Sequence, residues 1–307
     1  DVVYNHAGGD FGDQSLYFFD RQNPAGGQRH SLYFTDTGHA GGLVFDFAKP
    51  EVRDFLIQNA KFFLTEYRVD GFRYDQVSVI DHDGAPEGWR FCQDLTSTVH
   101  AQRPETLHHA EYWDVNPFIV APRPVGAGFD TTLTDGLRMA IRDVIGSASA
   151  PDERPVNMTA LARSLWPEGF NGSWRFVQGP ENHDIVYRGR EQRIARLGDP
   201  DHPRSWFARS RARVATGLSF TAPGIPMLFM GQEFLEDKQW ADDFVTHREL
   251  LLHWAGLDQG DRQMIDHLRF TRELLHVRRR LPSRGGQGFR VAPVHDQNRG
   301  LTFHRLV

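Results

Sequence analysis

Short apolar runs alternate along this chain with longer stretches whose apolar residues recur at helical spacing, the pattern of strands joined by crossover helices. Asp1–Asn5 reads as a first strand. A Gly-rich segment with scattered aromatics follows to about Phe47, too long for a plain connection, and is expected to be an excursion domain or lid. Pro50 opens a helix through Tyr67, with an acidic residue just after the proline and Val52, Phe55, Leu56, Phe62 and Phe63 as its apolar face. The stretch VDGFRYD then reads as a strand, residues 86–102 as a helix, LHHAEYW as a strand and GFDTTL as another. Helices are expected from Asp135 to about Ile145, near Leu161, from Arg204 to Ser219 and from Asp261 to Leu281. Between them, FVQGPENHD holds a strand end and GIPMLFMGQE reads as a strand. The last stretch holds two strands around Asn298-Arg299-Gly300, as if a β domain were beginning. The order is therefore strand and helix in alternation, then β. A doubly wound sheet fits that order, and so does most of a (β/α)₈ barrel. Both folds place ligands at strand C-termini.

Composition narrows the classes little. The chain has 307 residues, 39% hydrophobic and 24% charged, with a net charge of −5 that gives no reason to expect nucleic acid or an anionic membrane as partner. No apolar run approaches the roughly 20 residues of a membrane span. The one cysteine, Cys92, allows no internal disulfide, nothing requires an oxidising compartment, and no signal peptide opens the chain, so a cytoplasmic location is expected. Both ends break off in strand-like sequence, which reads as a fragment cut inside a larger fold.

Four polar clusters end predicted strands. In VDGFRYDQ, alternation puts Val69, Gly71, Arg73 and Asp75 on one face and Phe72 and Tyr74 on the other. A guanidinium beside Asp75 would hold it ionised and oriented, as a nucleophile requires; a structural ion pair is the alternative. Glu111, in HHAEYWD, has Ala110, Tyr112 and Trp113 as neighbours. These solvate charge poorly, so a carboxyl that keeps its proton and serves as a general acid is expected. In ENHD, Glu181–Asp184, His183 and Asp184 form a polar corner with too few ligands for zinc, better suited to hydrogen-bonding sugar hydroxyls. Asn5 and His6 close DVVYNH, which is weak evidence by itself.

Taken in order, DVVYNH, GFRYD, AEYW and ENHD resemble the α-amylase family, glycoside hydrolase family 13, over nearly the whole chain. The resemblance implies a (β/α)₈ TIM barrel fragment starting at the third strand, over residues 1–283. It also implies an excursion domain at 7–50 after that strand and the start of a C-terminal β-sandwich at 284–307. It implies Asp75 as nucleophile, Glu111 as acid/base and Asp184 as the carboxylate that stabilises the transition state. Arg73, His6 and His183 match residues that hold the nucleophile and the reacting sugar. Tyr4 and Asn5 lie in the first motif, where Asn5 is structural or, in some members, a calcium ligand. Gly231–Glu233 matches a loop after the eighth strand, with a structural turn the equal alternative. Tyr112, Trp113 and Trp240 are candidate platforms for glucose rings, with packing the alternative for each.

The implied partner is an α-glucan: glycogen, starch or maltooligosaccharide. No cofactor is required. Where many amylases carry Lys-His after the nucleophile, this chain has Ser78 and Val79, which argues against the usual calcium site and a plain endo-amylase. Ala222–Phe234 resembles the corresponding tract of glucan branching enzymes. DVVYNH and the helix before GFRYD also resemble trehalose-releasing hydrolases. A homologue that only binds glucan would have lost the carboxylates, and all three are present. A serine hydrolase is disfavoured because no Gly-x-Ser-x-Gly motif occurs.

Overall fold

The computed structural model describes residues 1–8, 31–150, 155–284 and 287–307. Half of the expected excursion segment 7–50, residues 9–30, lies outside the described residues. The chain divides into two compact units, Asp1–Leu133 and Thr134–Val307.

In the first unit, β1 (His6–Gly8), β2 (Phe34–His39) and β3 (Gly42–Phe45) form an antiparallel sheet in the order β1-β3-β2. The strand expected at Asp1–Asn5 is reduced to a single parallel bridge from Val2 to Tyr74. Helix α1 (Pro50–Glu66) buries Val52, Leu56, Ile57, Ala60 and Leu64. The helical repeat through these positions turns Phe55 and Phe62 outward, 50% and 49% exposed, contrary to the face expected from the sequence. They pack sideways instead, Phe55 on Tyr33 and Phe62 on Phe63 and Tyr67.

β4 (Gly71–Tyr74) follows, then α2 (Val77–Asp83), α3 (Glu87–Gln102), β5 (Leu107–Ala110) and β6 (Thr131–Leu133). β4, β5 and β6 run parallel, with Arg73 opposite His109 and His109 opposite Thr131. The alternation expected for β4 holds, since Phe72 and Tyr74 are buried and Arg73 is partly open. A Cβ on Gly71 would lie 2.5 Å from the Leu107 carbonyl oxygen, so only glycine lets β5 approach this closely. Under the strands, Tyr74 stacks on His108, and Phe91 packs against both Tyr4 and Phe47.

The second unit holds α4 (Gly136–Ser149), α5 (Met158–Ser164), β7 (Phe176–Gln178), α6 (Ile194–Gly198), α7 (Trp206–Thr221), β8 (Ile225–Pro226), α8 (Trp254–Asp258), α9 (Arg262–Arg280), β9 (Gly288–His295) and β10 (Gly300–Leu306). β7 and β8 are parallel; β9 and β10 form the antiparallel hairpin expected from the turn. β8 is far shorter than GIPMLFMGQE suggested. Its ladder stops because Phe229 and Gln232 bond to each other in a turn, and Gly231 at φ +88° leads into a short 3₁₀ segment. The core joins Leu137, Ile141 and Ile145 of α4 to Leu161 of α5 and Ala212 and Ala215 of α7, with Phe289, Val294, Leu301 and Phe303 of the hairpin packed against it.

The observed class is α/β with parallel strands. Among the described residues, no helix is long and apolar enough to cross a membrane.

Candidate active site

The first unit gathers a polar cluster at the C-terminal ends of β4 and β5. Arg73 is its hub. One terminal nitrogen, Nη1, donates to Asp75 Oδ1 at 3.0 Å and to Asp1 Oδ1 at 2.8 Å; the other, Nη2, reaches Glu111 Oε1 at 2.8 Å. A single guanidinium therefore bridges two carboxylates carried at the ends of adjacent strands. Charge-assisted bonds of this forked kind fix geometry as well as charge.

Each carboxylate is held from a second side. Asn5 donates its Nδ2 hydrogens to the Asp75 carbonyl at 2.7 Å and to Asp75 Oδ2 at 3.0 Å. The Asp75 N–H donates to Val2 O at 3.0 Å, so the terminal segment runs alongside β4 to place Asn5. Glu111 is 2% exposed. Its Oε2 accepts the Gln76 N–H at 2.9 Å, while its own backbone bonds Tyr74 O and the Val77 N–H. The carboxylate of Glu111 is thus met by a guanidinium and a backbone amide, beside the buried Ala110 and Tyr112. The guanidinium and the amide are partners that the chain neighbours alone do not reveal.

His6 lies beside this cluster, its Nδ1 bonded to Asn5 Oδ1. Burial holds its imidazole below the usual histidine range, aided by His39 and opposed by Asp75. Asn5 is 0% exposed, its amide oxygen bonded to His6 Nδ1 and its nitrogen donating to Asp75. Among the described residues, no group of three or more His, Cys, Asp or Glu could hold a metal ion. Tyr4 is buried and donates its hydroxyl to Asn59 Oδ1 at 2.8 Å. Tyr112 is also buried, its hydroxyl donating to Asp81 Oδ2 at 2.7 Å; packing, the alternative to a sugar platform, is what its burial favours. Trp113 is partly open.

Three residues of the cluster were not singled out in the sequence. His109, on the same face as Arg73 and Glu111, bonds Thr131 Oγ1 at 2.8 Å and is lowered to about 4 by burial and by Arg73. The alternation Leu107, His109, Glu111 was the available signal. Gln76 and His39 had none, because only the tertiary fold brings them together, Nε2 to Oε1 at 2.5 Å.

The second unit holds the ENHD corner, in a turn past the end of β7. His183 Nε2 lies 3.4 Å from Asp184 Oδ2, and both side chains are partly open. The turn is anchored from beneath by Glu181, which meets Arg193 at 2.8 Å with both side chains buried and also accepts the Ile194 N–H at 2.6 Å. Trp240 donates Nε1–H to His183 O at 2.6 Å and packs edge-on against Tyr187, so it too serves to hold the corner. Gly231 and Gln232 are buried in the turn after β8, while Glu233 is partly open and gives its carbonyl to Thr271.

Comparison with known proteins gives consistent relatives. No protein-family model matches the chain. A 1,4-alpha-glucan branching enzyme of Cellvibrio japonicus is 28% identical over 85% of this chain and 36% of its own length. One from Chlamydia muridarum is 30% identical over 72% of this chain and 30% of its own. The chain spans about a third of the length of the curated relatives it matches. In structure, an α-amylase from H. orenii matches with a TM-score of 0.69 at 18% identity, covering 99% of this chain and 67% of that one. With the motif order, the relatives and the fold in agreement, the chain belongs to the α-amylase family, glycoside hydrolase family 13.

Proposed function

We propose that the chain is part of a retaining α-glucan enzyme, a 1,4-α-glucan branching enzyme that moves an α-1,4-linked segment onto a 6-hydroxyl. The bridging of Asp75 and Glu111 by Arg73 carries this reading. Two carboxylates a guanidinium's width apart suit the spacing of about 5–5.5 Å that a retaining pair needs, rather than the wider gap that leaves room for a water.

On this reading Glu111 gives a proton to the glycosidic oxygen as Asp75 Oδ attacks the anomeric carbon. The leaving sugar departs and a glycosyl ester forms on Asp75 with inverted configuration. Glu111, now a carboxylate, takes the proton of an acceptor hydroxyl, which attacks the same carbon and inverts it again. Arg73 Nη1, 3.0 Å from Asp75 Oδ1, and the Asn5 amide orient Asp75 for the first step. His6 and His183 bind sugar hydroxyls, and Asp184 opposes the oxocarbenium charge; these three roles rest on the family motifs. Tyr4 orders the first motif through Asn59, and Trp113 remains a candidate sugar platform. The finer architecture belongs to the same reading: a (β/α)₈ barrel entered at its third strand, an excursion at 7–50, and a β domain from 284. So do a glycogen, starch or maltooligosaccharide substrate and a cytoplasmic location.

The reading of branching rather than hydrolysis takes its support from the names of the two sequence relatives described above. The test uses the full-length protein with amylose. Branching lowers iodine absorbance with little gain in reducing ends. A proportional rise in reducing ends overturns branching in favour of hydrolysis. Asp75→Asn should abolish turnover by either route with the fold intact, and retained turnover would refute the nucleophile.

A further inference from the structure

Gln76, the residue after Asp75, has φ +36° and ψ +58°, the left-handed region that side chains other than glycine rarely enter. In that conformation its N–H points to Glu111 Oε2 at 2.9 Å. Its side chain is held by one described partner: Gln76 Oε1 lies 2.5 Å from His39 Nε2. An amide oxygen only accepts, so Nε2 of His39 carries the proton.

His39 is itself firmly placed. It is the last residue of β2, where Ala40 at φ +45° and Gly41 at φ +85° turn the chain into β3. Two successive positive φ angles are the mark of the tight hairpin turn that matches strand twist. His39 pairs with Gly42, and a Cβ on Gly42 would lie 1.8 Å from the Ala7 carbonyl oxygen, so the hairpin tip is pressed against β1. The His39 ring also meets His6 edge-on, centroids 5.1 Å apart. The imidazole is aimed by backbone pairing and by a second ring, not by a long flexible side chain.

We propose that His39 is a positioning residue, which holds Gln76 in its left-handed backbone conformation and so aims the Gln76 N–H at Glu111. The hairpin thereby sets the second oxygen of the acid/base group, while Arg73 sets the first. The catalytic part of this proposal rests on the function proposed above.

The test compares His39→Ala with the double variant H39A/Q76G in the full-length protein. Glycine enters the left-handed region without a side-chain clamp, so it restores the backbone conformation that alanine at 39 releases. Two readouts are needed. One is the amide proton shift of residue 76, which a bond to a carboxylate moves downfield. The other is amylose turnover against pH. His39→Ala should move the amide upfield and lower kcat about tenfold with KM little changed, the size of effect a slightly misplaced catalytic group produces. Loss of a donor favours the protonated carboxyl, so the basic limb of the profile should also move to higher pH. H39A/Q76G should recover the amide position, the limb and most of kcat. An unmoved amide in His39→Ala, an unchanged kcat, or a double variant no better than the single one overturns the proposal. If the unaltered protein turns over no glucan, the functional reading fails, and the amide signal alone still decides whether His39 controls Gln76.

Discussion

Arg73 has more asked of it than any other side chain in the cluster. It neutralises Asp75 and Glu111 from different nitrogens of one planar group, and Asp1 shares one of those nitrogens. A lysine ammonium is a point charge and cannot span both carboxylates. Arg73→Lys should therefore lower kcat about a hundredfold, the penalty for a catalytic group displaced by an ångström or so. The comparison of kcat with KM for both proteins checks it, and an equal kcat would remove Arg73 from the mechanism. Of the residues around Arg73, Asp75 and Glu111 were visible as strand-end carboxylates. Gln76 and His39 were not, because a glutamine after a strand and a histidine in a polar hairpin look like solvated surface until the hairpin folds back.

At the level of elements, the site depends on how closely β5 lies against β4. Gly71 permits that approach, with the Leu107 backbone occupying the space where a Cβ would sit. Gly71→Ala must push β5 away, and Glu111 travels with it. We expect a loss of about 1–3 kcal/mol, the usual cost of forcing atoms into a packed site, and a fall in kcat larger than the fall in melting temperature would suggest. Denaturant unfolding and steady-state kinetics on the same preparation separate the two effects. The helices were well marked by their apolar period and by Pro50, whereas β8 was over-read. Its apolar run is interrupted by the Phe229–Gln232 turn, and a turn closed by a side-chain amide carries no periodicity.

Across the whole molecule, buried histidines set the response to acid. Burial lowers His108 to about 3 and His109 and His267 to about 4, with nearby positive groups adding to each. In the unfolded chain these groups take up protons near pH 6.5. Between about 6.5 and 4 the unfolded state therefore binds more protons than the folded one, and stability falls as pH falls. The melting temperature should drop steadily across that window. His267→Gln, in α9 and remote in sequence from the carboxylates, should make the drop shallower. An unchanged slope would show that His267 is not titrating differently in the two states.

The amino-acid sequence by itself determined the alternation of strands and helices, the faces of β4 and the order of motifs that marks the family. Each of these is written in local spacing, where period and side-chain chemistry act over a few residues. It could not decide what solvates Glu111, which way Phe55 and Phe62 face, or that Tyr112 is packed away. Those depend on which distant backbone amide, guanidinium or ring arrives in contact, and only chain folding brings such partners within a hydrogen bond's length.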